Sequence, residues 1–195
     1  MAADIYQQKA GIFAEFAKIV CISVAYLSFA KNTSPVLRIK SFHGEEKDIL
    51  SNFHQMLDTH YNDPELHYLC GHNIKEFDIP FICRRTIING LMLPQLLRIS
   101  GKKPWQVAHL IDTMDMWRFG DYKNYTSLSL LSGALGIKSP KDDIDGSQVG
   151  NVYWKENDIE RIVSYCEKDV ATVAQVMMKF AGQPLLEDSK IEVVS

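Results

Sequence analysis

Between Asp158 and Phe180 apolar residues recur every three or four positions, at Ile159, Ile162, Cys166, Val173, Val176, Met177 and Phe180. That spacing predicts one long amphipathic helix. Asn157, with Glu160 three residues on, has the form of a capping box, and Gly182 with Pro184 supplies the stop. At roughly 100° per residue Asp169 falls inside the apolar stripe, within about 40° of Ile162, Tyr165 and Val173. A lone carboxylate facing a core is costly, so Asp169 needs a cation, a donor network or a raised pKa, the non-functional alternative being a helix Asp paired with a basic residue beside a core Tyr.

The rest of the chain alternates strand and helix patterns. Ala2 to Phe16 is mildly amphipathic, a short helix or an arm. Lys18 to Leu27 is rich in β-branched residues and predicts a strand covered on both faces. After a turn at Asn32-Thr33-Ser34-Pro35, Val36 to Phe42 continues as an antiparallel strand, more exposed because Arg38 and Lys40 interrupt it. Glu45 to Tyr61 carries Ile49, Leu50, Phe53, Met56 and Leu57 at helical spacing with acids at its start. His67 to Asn73 predicts a third strand, Asp78 to Ile88 a helix closed by Asn89-Gly90, and Ala108 to Ile111 a further strand. Thr126 is placed to cap a helix through Leu135 that Gly136 ends, and a polar loop follows from Lys138 to Gly150.

The totals place these elements in one α/β domain over residues 1–195. The chain is 46% hydrophobic and 23% charged, enough for a full core. A net charge of -3 argues against bulk basic attraction to nucleic acid and leaves only local patches. Cys21, Cys70, Cys83 and Cys166 form no C-x-x-C pairs and sit in apolar segments, which reads as buried free thiols in a reducing compartment. No apolar run has the length of a membrane span and the first residues show no signal-peptide pattern, so the expected location is cytoplasmic, with no membrane partner.

Several residues could carry chemistry. Asp78 stands where a strand gives way to a helix, a place where ligands gather in α/β sheets, though an Asp there also serves as a helix cap. Asp112 ends another strand and has the same two readings, the cap being favoured. Arg98, Lys102 and Lys103 beside Trp105 either track a nucleic-acid backbone or form a solvated surface. Asp142, Asp143, Asp145 and Gly146 lack the spacing and terminal Glu of a calcium loop. Their loop is expected near the substrate, with Lys138 and Lys141 available to phosphate.

The order of elements, with acids at a strand end and on the last long helix, resembles a ribonuclease H-like domain, a mixed central sheet flanked by helices. Gly71-His72-Asn73-Ile74-Lys75-Glu76-Phe77-Asp78 with Pro80-Phe81 resembles the second motif of DEDD-type 3′–5′ exonucleases. Tyr165-Cys166-Glu167-Lys168-Asp169 resembles their third motif in its tyrosine (DEDDy) form. Together with Ile111-Asp112-Thr113, Leu135-Gly136-Ile137 and the Asp143 to Val149 loop, the whole chain looks like the predicted exonucleases related to the proofreading domain of family B DNA polymerases. The resemblance implies that Asp78 and Asp169 help to hold Mg²⁺ or Mn²⁺ and that Tyr165 orients the attacking water. It further implies that Asn73 and Phe77 position the substrate end and that Arg84 or Arg85 neutralises phosphate. The implied partner is a single-stranded 3′ end, DNA favoured over RNA. Carboxylate oxygens suit these hard cations, and hydrolysis between two ions about 3.5–4 Å apart is the implied chemistry.

One part of that pattern has no counterpart. The family's first motif, Asp-x-Glu, lies on a strand preceding the one equivalent to Lys18–Leu27, but Asp4-Ile5-Tyr6 has Tyr in place of Glu and Glu15 has no Asp two residues before it. The expectation is an N-terminally truncated domain whose central strand is missing, and a chain that is inactive or very weak as it stands. The sheet is then expected to have two exposed edges: either the Ile191 to Val194 tail or a partner chain fills the gap, or the domain is destabilised. Two other readings stand beside the nuclease: a non-catalytic nucleic-acid-binding module, and a fold that serves protein contacts only.

Overall fold

The computed structural model describes residues 11–29, 34–138 and 143–194. Asp4-Ile5-Tyr6, Asn32, Thr33, Lys141 and Asp142 lie outside the described residues, as does most of the expected N-terminal arm. In chain order the elements are β1 (Cys21–Ser28), β2 (Val36–His43), α1 (Glu46–His60), β3 (Leu69–Gly71), α2 (Asp78–Ile88), β4 (Leu110–Asp112), α3 (Thr113–Arg118), α4 (Leu128–Ala134), α5 (Ile159–Phe180) and β5 (Ile191–Val194), with short 3-10 and π turns between them. This is a mixed α/β chain. Two compact units divide it, one holding residues up to Val20 with Phe42–Asp112, the other Cys21–Ser41 with Thr113 onward. No helix among the described residues is long and apolar enough to cross a membrane.

In the first unit, α1 buries Ile49, Leu50, Phe53 and Leu57, and Phe53 meets Phe42 edge to face at 6.3 Å. β3 and β4 pair in parallel, Leu69 opposite Leu110 and Gly71 opposite Asp112. Such a pair needs a long crossover. Here it runs through α2 and two 3-10 turns, the first of which buries Leu96 and Leu97 completely. His109 fixes that turn from beside β4, its Nε2 lying 2.9 Å from the Leu96 carbonyl oxygen.

The first acid of α1 is turned inward. Glu46 is buried, and its carboxylate accepts two bonds from the Arg85 guanidinium at 2.5 and 2.8 Å, one from the Ile19 amide at 2.7 Å and one from Asn89 at 2.9 Å. Arg85 also donates to the Ala14 carbonyl at 2.8 Å. One ion pair thus ties the segment before β1 to both α1 and α2.

The second unit holds a sheet of order β1-β2-β5. Ser23 meets Ser41 and Ser28 meets Val36, so the register of β1 on β2 runs antiparallel, as expected from the short connection. The burial expected of the two strands is reversed. β1, predicted to be covered on both faces, buries only Ile22 and leaves Tyr26 half exposed, whereas β2 buries Leu37 and Ile39 almost completely. β2 is the inner strand of the three, and its charged residues alternate onto the outer face, where Arg38 meets Glu192 of β5 at 3.2 Å. The tail does form a strand, but it pairs in parallel with β2, Leu37 opposite Ile191 and Lys40 opposite Val194. It lies on the far side of β2 from β1.

α5 packs on two fronts. Met178 joins Leu37, Ile39 and Leu186, and Val176 joins Leu131 and Ile137. Burial on both sides widens the apolar face, so Val163, Thr172 and Met178 are buried although they lie outside the expected stripe. The start also differs. Asp158, not Asn157, caps α5, its carboxylate accepting from the Arg161 amide at 3.2 Å, while Asn157 takes a left-handed φ of 53° that ends the preceding π turn. Gly182, at φ 65°, closes the helix as expected, with the Gly182 and Gln183 amides returning to Lys179 and Met178. α4 is capped by Ser127, one residue later than expected.

Candidate functional site

Asp78, Asn73, Phe77, Arg84 and Arg85 lie in the first unit, and Tyr165 and Asp169 in the second. Asp78 is exposed in the first turn of α2. It is not the helix cap, because that position is Phe77, which has no side-chain capping bond. A carboxylate in the first turn is favoured by the helix dipole.

The loop leading to Asp78 is shaped by its neighbours. A side chain at Gly71 would meet Ile74 at 2.8 Å, so the chain can fold back there only with glycine. Asn73 takes φ 60°, a conformation that Asn tolerates and that turns the strand end toward the helix. Asp112 holds the turn from below. Its carboxylate accepts from the Asn73 amide at 2.9 Å and the Lys75 amide at 3.2 Å, and the residue is 2% exposed. The favoured reading of Asp112 as a cap of the following turn missed this, because the bonds reach back some forty residues and no local spacing signals them. Asp112→Ala leaves two inward-facing amides without this acceptor, a loss of about 2–3 kcal/mol. Urea unfolding is expected to show that loss, and a change below about 0.5 kcal/mol would deny Asp112 the role.

Phe77 is 42% exposed, with its ring 5.7 Å from that of Phe81. Arg84 is exposed on α2. Arg85 is the residue expected as an alternative phosphate contact. Its guanidinium is committed to Glu46 and the Ala14 carbonyl, and its side chain is 12% exposed.

In the second unit Tyr165 and Asp169 stand one turn apart on α5, both half buried. Tyr165 lines a cavity of about 110 Å³ with Asp143, Ile144, Arg161, Ser164 and Lys168. Gly146 lies close over the phenol, since a side chain there would come within 3.8 Å of its oxygen. The loop is held in place by Arg161, which bridges Asp143 and, at 2.5 Å, Glu156. The Arg161 hydrogen bond draws the Asp143 carboxyl below its ordinary range, with Arg161 and Lys168 charges adding to it. The Arg161 latch was not legible in the sequence, because its two acids, Asp143 and Glu156, are thirteen residues apart and no local spacing links them.

Outside the two motifs, Lys103 sits over the Trp105 ring at 5.4 Å and Trp105 is 72% exposed. Among curated proteins none matches the chain significantly. The family model described as predicted 3′–5′ exonucleases related to the exonuclease domain of PolB matches residues 12–184. That span takes in both the loop bearing Asp78 and the helix bearing Tyr165 and Asp169, so the chain belongs to this family of exonuclease-related domains.

Proposed function

We propose that the chain acts as a DEDDy-type 3′–5′ exonuclease on single-stranded nucleic acid, DNA in preference to RNA. In this reading residues 1–195 form one ribonuclease H-like domain working in the cytoplasm. The observation that carries the proposal is the pair of carboxylate positions: Asp78 exposed in the first turn of α2, after a loop pinned by Asp112, and Asp169 one turn beyond Tyr165, which itself lines a cavity edged by Lys168. Family membership supports a nuclease.

The donors fit Mg²⁺ or Mn²⁺ in kind, because both side chains offer hard oxygen. They are few. Among the described residues no three His, Cys, Asp or Glu side chains gather as a metal site. A bound divalent ion would supply an activated water and stabilise the leaving 3′ oxygen. Asp78 and Asp169 are the residues that would offer it carboxylate oxygen, Tyr165 would orient the water through its phenol, Asn73 and Phe77 would seat the terminal nucleotide, and Arg84 would offset phosphate charge. With two carboxylates the activity is expected to be weak.

Protein in excess over a 5′-labelled single strand, with Mn²⁺, is expected to shorten it stepwise from the 3′ end. Chelation and Asp78→Ala should each stop the reaction. Shortening that continues undiminished in Asp78→Ala would overturn the proposal. A second reading, a non-catalytic binding module, is favoured by the exposed Trp105 with Lys103 upon it. It requires salt-dependent binding of a single strand without metal or cleavage, weakened by Trp105→Ala.

A further inference from the structure

The cysteines are free, as expected, but they are not buried: Cys21, Cys83 and Cys166 are half buried and Cys70 is exposed. Two of them meet in the second unit. Cys21 opens β1 and Cys166 lies midway along α5, within side-chain hydrogen-bonding reach of it. The Ser23 hydroxyl is 3.7 Å from the Cys21 sulfur. Ser23 is also 2.8 Å from the Ser41 hydroxyl, which donates to Glu167 at 2.8 Å. This chain of three polar side chains ties the turn of α5 that carries Cys166 to β1 and β2.

The sulfurs are not equivalent. The hydrogen bond from Cys166, opposed by burial and helped by Ser23, holds the Cys21 thiol below its ordinary value, with the Glu167 charge acting the other way. Burial pushes Cys83 up to about 11. Since the thiolate is the nucleophile, Cys21 is the more reactive of these two thiols and Cys83 the less reactive at neutral pH.

We propose that Cys21 and Cys166 form a peroxide-reactive thiol pair, Cys21 attacking the oxidant and Cys166 resolving the product to an intrachain disulfide between β1 and α5. The Cys21 sulfur attacks one peroxide oxygen and the O–O bond breaks. Water leaves and Cys21 becomes a sulfenic acid. The Cys166 sulfur then attacks the Cys21 sulfur, the S–O bond breaks, and the hydroxide takes up the Cys166 proton. Two thiols and one peroxide give one disulfide and two waters. The bond forms at the residue next to Tyr165 and does not depend on the nuclease reading.

The test is disulfide mapping of the whole chain after stoichiometric hydrogen peroxide and iodoacetamide. A peptide pair linked through Cys21 and Cys166 is expected, released by dithiothreitol, with Cys70 and Cys83 still alkylated. Cys166→Ser should abolish the link and leave a sulfenic acid at Cys21 that dimedone traps, and Cys21→Ser should lose both. Before oxidation, alkylation of Cys21 is expected at least about tenfold faster than of Cys83 at neutral pH. Recovery of Cys21 and Cys166 as separate alkylated peptides while Cys70 or Cys83 is oxidised would overturn the proposal, as would a random mixture of linkages.

Discussion

Glu46→Ala is expected to cost about 3–5 kcal/mol, because it strands the Arg85 guanidinium in a site that is largely closed to water. The loss is large against the roughly 5–15 kcal/mol by which a domain of this kind is stable. Four donor bonds end on this one carboxylate, so its removal also releases the Ile19 amide and Asn89. Urea midpoints measure the effect. A double replacement, Glu46→Leu with Arg85→Met, removes both charges and should recover most of the stability, since paired burial of charge is often no better than apolar packing. A Glu46→Ala protein within about 1 kcal/mol of the parent would show the pair to be ornamental.

The same pair gives a pH dependence. Burial raises the Glu46 carboxyl, but bonds from Arg85, the Ile19 amide and Asn89 outweigh it and hold the group below its ordinary value of 4.5. A depressed carboxylate contributes stability that is complete above the unfolded value and is lost as pH falls through the folded one. Acidification below about 4.5 should therefore lower the urea midpoint of the parent more steeply than that of Glu46→Gln.

A large effect on activity is also expected at Asp169. Asp169→Asn keeps the shape of the side chain and removes its charge, so any structural bond it makes is largely preserved while its grip on a divalent ion is not. Loss of several kcal/mol of charge stabilisation in the transition state corresponds to a fall of about 10²–10⁴ in rate. Tyr165→Phe, which removes only the hydroxyl, should cost about 10–100-fold. Both are read from single-strand shortening in Mn²⁺ with thermal unfolding as a control. An Asp169→Asn protein that keeps a third of the parent rate would remove Asp169 from the machinery.

Much of the fold was legible because local pattern and tertiary demand agree. α2 begins and ends where Asp78 and Asn89-Gly90 place it, and α5 stops at the glycine that takes a left-handed turn. Caps were legible only to within a residue: Ser127 and Asp158 displace Thr126 and Asn157, because neighbouring polar residues can all cap and the helix register decides between them. The roles of Arg85 and Asp112 were not legible. Both are set by partners decades of residues away, Glu46 for one and the Asn73 and Lys75 amides for the other.

By itself the sequence determined the order of strands and helices, the amphipathic face of α5, and the family to which its two acidic motifs belong. Those properties are written in spacing and in short contiguous motifs, where hydrophobic period and turn chemistry act over a few residues. Only the tertiary structure decided which strand is inner, where the tail pairs, and which charges are spent on holding the chain together. Burial and long-range pairing depend on what lies across the sheet or beneath the loop, and a residue's type does not say who its distant neighbour is.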